Sequence, residues 1–150
     1  MRHPLIQIFR SKQGNAIVEF AICVPVFLTM LLAAVDFSRL FFESTIASNA
    51  AAAGSYYGAQ NIRYSTDFAG MRTVAAQDST ELDGHTTSAD RLCDCPDGTI
   101  IDPCTTSCPG YGPPRVYMRT RVQKDFTTLG WYPGIPRTTP INMRRWIRVQ

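Results

Sequence analysis

The chain has 150 residues, a net charge of +3 and 45% hydrophobic residues, which is room for one modest domain. An apolar run near the N-terminus takes part of that length, so what remains must manage with a small core. The charge is segregated: Arg2, Arg10 and Lys12 stand before the run without an acid. Eight acids lie between Asp67 and Asp102, and eight basic residues follow from Arg115 to the end against Asp125 alone. The acidic middle and the basic end can complement each other within one fold or between stacked copies.

From Phe20 to Val35 no residue is charged. With residues 15–19 added, the stretch is about 31 Å long as a helix, the thickness of a hydrocarbon core. The basic flank precedes it and Asp36 and Glu43 follow, so the N-terminus is expected in the cytoplasm and the remainder across the membrane. Glu19 and Pro25 inside the run, and no good cleavage site after it, argue against a removed secretory signal. Glu19 is the anomaly, because a carboxylate within a membrane helix is costly and usually functional. Cys23 is expected to face lipid or to pack.

After the run, DFSRLFFESTIASNAAAAGSYYGAQ has no proline and is rich in alanine. It predicts one helix continuing from about Asn15 to the Gly54–Gly58 region, with ion pairs among Asp36, Arg39 and Glu43. Ala47, Ala50, Ala51, Gly54 and Gly58 offer a seam for close packing. Pro25 removes the donor for the Ala21 carbonyl and should kink or open the helix there. A second helix is predicted over about Asp67–Thr80, burying Phe68, Met71, Val74 and Ala75, with Ser65 or Thr66 as its cap.

Residues 83–114 are polar and turn-rich and short of periodic structure. Alternation returns in VYMRTRVQKDFTTL, with Val116, Met118, Thr120 and Val122 on one face, and again in INMRRWIRV. These predict two paired antiparallel strands joined by a long turn, and Thr99–Asp102 offers a third. Trp131, Tyr132 and Trp146 are expected to pack in the core. The fold class is α+β: a long N-terminal transmembrane and stem helix, then a small head with an antiparallel sheet.

Cys93, Cys95, Cys104 and Cys108 fall within sixteen residues of a loop-rich segment on the outer side. Such an even set predicts two disulfides, each joining one of the first pair to one of the second, with the connectivity open. C-x-C-x8-C-x3-C does not match the spacing of a zinc knuckle. DCPDGTIID lacks the alternating acids and closing Glu of a calcium loop. The two histidines, His3 and His85, have no accompanying nucleophile motif. No catalytic residue, metal site or cofactor is expected, and no nucleic-acid partner.

A short basic leader ending in Gly14, followed by an apolar helix with Glu19 five residues on, resembles a type IV prepilin. More narrowly, GNAIVEFAICVPVFLTMLLAAVDFSRLFF is similar to the TadE-like minor pseudopilins of tight-adherence (Flp-type) pili, with its Gly, Glu–Phe pair, mid-helix Pro and closing Asp-Phe-x-Arg; the final MRRWIRVQ also resembles their basic last strand. The resemblance implies a leader (1–14) removed by a prepilin peptidase, a transmembrane helix (15–35), a helical stem (36–60) and a pseudopilin head (61–150). It implies a bacterial inner-membrane protein, N-terminus cytoplasmic and head periplasmic, whose partners are the peptidase, other pilin subunits and the tight-adherence secretion machinery. Cutting after Gly14 leaves an ammonium on Asn15 that Glu19 pairs with, and removing three of fifteen basic residues leaves twelve against twelve acids. The alternative is a single-pass anchored binding module with a disulfide-stabilised head.

Overall fold

A computed structural model describes residues 12–149, with side chains from residue 16. Helix α1 runs from Lys12 to Ala59 without interruption at Pro25, 48 residues or about 72 Å. It is followed by a 3-10 turn (Tyr64–Thr66) and by α2 (Phe68–Asp78). Four strands follow: β1 (Thr86–Asp94), β2 (Ile100–Ile101), β3 (Arg115–Thr127) and β4 (Thr138–Arg148). They form one antiparallel sheet in the order β2-β1-β3-β4, so the architecture is a long helix plus a small α+β head.

The helix changes character along its length. Up to Val35 nearly every side chain faces outward, and none of its most apolar window is buried within the protein. From Asp36 it becomes one-sided. Ala47, Ala50 and Ala51 are fully buried and form a core with Ala75, Leu82, Val122, Phe126 and Ile141. Small residues are what this contact requires. A Cβ on Gly54 would stand 2.8 Å from the Met71 carbonyl oxygen and 2.9 Å from Thr120 Cγ2. Ser55 completes the seam: it donates to the Arg145 carbonyl at 2.8 Å and accepts from the Thr120 N–H at 3.1 Å, tying α1 to both β3 and β4.

Four sequence expectations are corrected. Helix α2 is capped by Asp67, whose carboxylate accepts from the Gly70 N–H at 2.8 Å; Ser65 and Thr66 lie in the preceding 3-10 turn. Within DFSRLFFE, Arg39 pairs with Asp36 at 3.4 Å, but Glu43 reaches across to Lys124 of β3 at 3.0 Å. The segment read as aperiodic contains β1, a nine-residue strand that pairs with β3 along its whole length. Finally, Trp131 and Trp146 are not core residues: they are 79% and 54% exposed. Trp146 points from the outer face of the sheet, because its neighbour Ile147 takes the inward position in the alternation.

The four clustered cysteines form Cys93–Cys104 and Cys95–Cys108, an interleaved pair that fixes the 95–114 loop to the end of β1. Cys93, Cys95 and Cys108 are buried, while Cys23 is free and exposed on the apolar helix.

Candidate assembly surface and head clamp

The outward surface of α1 is the first candidate. Ile17, Phe20, Phe27 and Met30 all project from it, and Glu19 shares that exposed surface. Glu19 makes no ion pair among the described residues. Residues 1–11 of the expected leader, with Arg2 and Arg10, lie outside the described residues, as do the side chains of Lys12 and of Asn15 at the expected cut. The backbone of Gly14 and Asn15 is helical. In the uncut chain the Asn15 nitrogen is acylated by Gly14 and carries no charge for Glu19 to meet.

Asp36 ends the apolar run and shows how a second helix carboxylate is satisfied. It is only 4% exposed. The loop between β3 and β4 wraps over it: the Leu129 N–H donates at 3.0 Å, the Gly130 N–H at 3.1 Å and the Tyr132 hydroxyl at 2.9 Å. Arg39 adds a weaker contact at 3.4 Å from the next helical turn. Desolvation pushes the Asp36 carboxyl up, but the two backbone donors, the Tyr132 hydroxyl and the Arg39 charge outweigh it, so it lies below the usual value. Burial and then the bond to Asp36 raise the Tyr132 phenol. Gly130 is needed for the approach, since a Cβ there would lie 2.7 Å from the Tyr132 hydroxyl oxygen that bonds Asp36, as well as 2.9 Å from Leu32 Cδ2. Asp36 therefore fastens the far end of the head to the helix where the helix stops being apolar on all sides.

The outer face of the sheet holds the segregated charge. Asp90 stands opposite Arg119, and Asp94 opposite Arg115. Arg119 forks onto Asp90, with its Nε donating at 2.8 Å, and Arg115 donates to Asp94 at 2.8 Å. The Arg119 hydrogen bonds hold Asp90 below its ordinary range despite partial burial. Part of the acidic middle thus neutralises part of the basic end within one fold. Arg121 faces Arg144 across the β3–β4 ladder, and the Arg144 guanidinium sits 5.8 Å from the Trp146 ring centroid. A like-charged cross-strand pair is unfavourable on its own.

The residues weighed for chemistry have structural contacts. The His85 ring bridges the Ser79 hydroxyl at 2.9 Å and the Leu82 carbonyl, closing the turn after α2. Asp97 accepts from the Thr99 N–H at 3.0 Å, and Asp94 is held by Arg115. Among the described residues, no group of three or more His, Cys, Asp or Glu side chains is placed to hold a metal ion.

Sequence reasoning identified Asp36 as a terminator of the apolar run but not as a clamp, and it did not single out Ser55. Neither carries a local signal, because the partners that define the role lie 65 to 96 residues away and several are backbone groups.

The family model for TadE-like protein matches residues 14–55. The match begins at Gly14, takes in Glu19, Pro25, Asp36 and Arg39, and ends in the small-residue seam of the stem, with residues 56–150 outside it. No curated protein and no solved structure matches the chain.

Proposed function

From the TadE-like segment at residues 14–55, which points to a role in tight-adherence pilus systems, we propose that this protein is a minor pseudopilin required to assemble such pili. A prepilin peptidase cuts after Gly14. The chain sits in the bacterial inner membrane with its N-terminus cytoplasmic and its head periplasmic, and its partners are other pilin subunits and the secretion machinery. The observation that carries this reading is an apolar helix exposed on every side, holding Glu19 in its first turns. Such a surface needs lipid or neighbouring helices. Two disulfides in the head agree with an oxidising compartment.

The chemistry of the cut follows from charge. Hydrolysis of the Gly14–Asn15 bond turns a neutral amide nitrogen into an ammonium four residues before Glu19. A carboxylate and an ammonium out of water are tolerated as a pair, and removing one partner costs about 3–5 kcal/mol. The new terminus can meet Glu19 of its own helix or of a neighbour, which sets the axial register of a subunit. Loss of the cationic leader also frees the helix to leave the bilayer, and Pro25 lets it bend as it does so.

The exposed Trp146 and the arginines around it favour a second reading, an anchored binding module with that sheet face as its contact. Terminal sequencing of the protein recovered from membranes, with Gly14→Ala in parallel, separates the two. The pseudopilin reading expects a chain beginning at Asn15, and an uncut chain with loss of pili in Gly14→Ala. An intact Met1 beside normal pili would overturn it and leave the binding module standing.

A further inference from the structure

The loop over residues 128–137 does more than cover Asp36. Between its contacts with the helix it turns three large apolar side chains outward: Leu129 is 58% exposed, Trp131 79% and Ile135 56%. The loop is firmly built. Thr128 N–H donates to the Arg137 carbonyl at 3.0 Å, its hydroxyl donates to the Gly130 carbonyl at 2.9 Å, and the Ile135 N–H donates to the Tyr132 carbonyl at 3.2 Å. Gly134 takes a positive φ of 81° in that last turn. Exposure here is held in place by the loop's own bonds.

Its height along α1 is what matters. Gly130 approaches Leu32, which lies inside the apolar run, and the loop's far side reaches the level of Leu40. An apolar recess of about 280 Å³ between helix and loop is lined by Ala33, Phe37, Leu40, Tyr132 and Ile135. The helix surface beside it remains apolar past Asp36, with Phe37 and Phe41 exposed. The carboxylate that would otherwise mark this level as polar is shut away by four donors. Tryptophan and tyrosine favour this depth, where a ring meets acyl chains and its N–H or O–H meets head groups.

We infer that the β3–β4 loop is a second membrane contact: Leu129, Trp131 and Ile135 enter the outer interfacial layer of the bilayer that α1 spans, so the chain meets lipid at two places, the helix and this loop of the head. The occupant is the lipid surface, because the patch is continuous with the apolar face of the spanning helix and at the same level as its last turns. This rests on the membrane-anchored reading of α1.

The chain has only two tryptophans, which permits a direct test. Trp146→Phe leaves Trp131 as the sole reporter, and Trp131→Phe leaves Trp146; both side chains are exposed, so neither change opens the core. The full chain is placed in phosphatidylcholine–phosphatidylglycerol vesicles whose acyl chains are brominated either near the glycerol or near the bilayer centre. Trp131 should emit at shorter wavelength than Trp146 and lose about half its emission or more to the shallow bromines and less to the deep ones, as an interfacial ring does. Trp146 should be little affected. If the protein floats with the vesicles but Trp131 is unquenched, the loop contact is overturned and the anchor stands. A blue-shifted but unquenched Trp131 means that a protein surface covers it, which equally overturns the inference. Failure to float overturns both readings.

Discussion

Replacing Gly54 by alanine sets two effects of similar size against each other. Alanine in place of a glycine within a helix is worth about 0.8–1.0 kcal/mol in helix propensity. Here, however, the new Cβ would lie 2.8 Å from the Met71 carbonyl oxygen and 2.9–3.0 Å from the Thr120 side chain. Ordinary contact needs roughly another half ångström, and the obstacle on one side is the backbone of α2, so the whole helix must move. Overpacking of this kind costs about 1–3 kcal/mol. The difference is a net loss of about 1 kcal/mol, or about 4–8 °C for a head of this size. Gly58 is the built-in comparison. The three atoms nearest its Cβ would all belong to the Met71 side chain, the first being Sδ at 2.6 Å, and a thioether can turn aside where a backbone carbonyl cannot. Thermal unfolding of the detergent-solubilised full chain, followed by near-ultraviolet circular dichroism, should show Gly54→Ala melting below the parent and Gly58→Ala close to it. A Gly54→Ala protein that melts higher would mean that the close approach of α1, α2 and β3 is not real.

Removing a cross-link gives a second stability test. For the 11-residue separation of Cys93 and Cys104, loop-closure entropy predicts a loss of about 3 kcal/mol in Cys93→Ser/Cys104→Ser. Peptide mapping without reductant should recover Cys93–Cys104 and Cys95–Cys108 from the parent. A third test concerns Asp36. Asp36→Asn puts an amide among donors that need an acceptor, so Leu129 and Gly130 amide exchange should speed up by about tenfold or more. The folded-state value of Asp36 lies below the ordinary 3.8, so its contribution is complete above that value and is lost as pH falls through the lower folded one. Loop protection in the parent should therefore hold from neutral pH to about 4 and fall only in stronger acid, and the Asn variant should lack that acid step.

The elements that were legible in the sequence have strong local patterns. Helix α1 follows from an uncharged run joined without proline to an alanine-rich stem, and the buried side of that stem is the Ala47–Ala50–Ala51–Gly54–Gly58 seam. Strands β3 and β4 follow from alternation, and Met118, Thr120 and Val122 are fully buried as that alternation requires. Strand β1 was not legible, because TTSADRLCD offers little apolar alternation. It is held by the backbone ladder to β3, by Asp90 and Asp94 opposite arginines, and by disulfides at its end. The cap of α2 was misplaced by one or two residues because Ser65, Thr66 and Asp67 can all accept an N–H bond. The tryptophans misled for a different reason. An aromatic residue in a short chain is more often core, and nothing local says that the residue before Tyr132 turns outward while Tyr132 turns in toward Asp36.

Two carboxylates on one helix separate what belongs to the protomer from what belongs to its surroundings. Asp36 has its donors within the same chain, and two of them are backbone N–H groups fixed by a bonded loop, so its burial is complete before any partner arrives. Glu19 sits seventeen residues earlier on the exposed, apolar side of that helix and has no ion pair among the described residues. A charge among apolar side chains is stable only when paired. The first carboxylate therefore explains how the head is fastened to the stem. The second has no cationic partner among the described side chains, and cleavage at Gly14 would make one four residues away. Glu19→Gln and Asp36→Asn should consequently fail in different ways: the first with a head whose disulfides and amide protection are intact but whose assembly is lost, the second with a loosened loop on a helix that still enters the membrane.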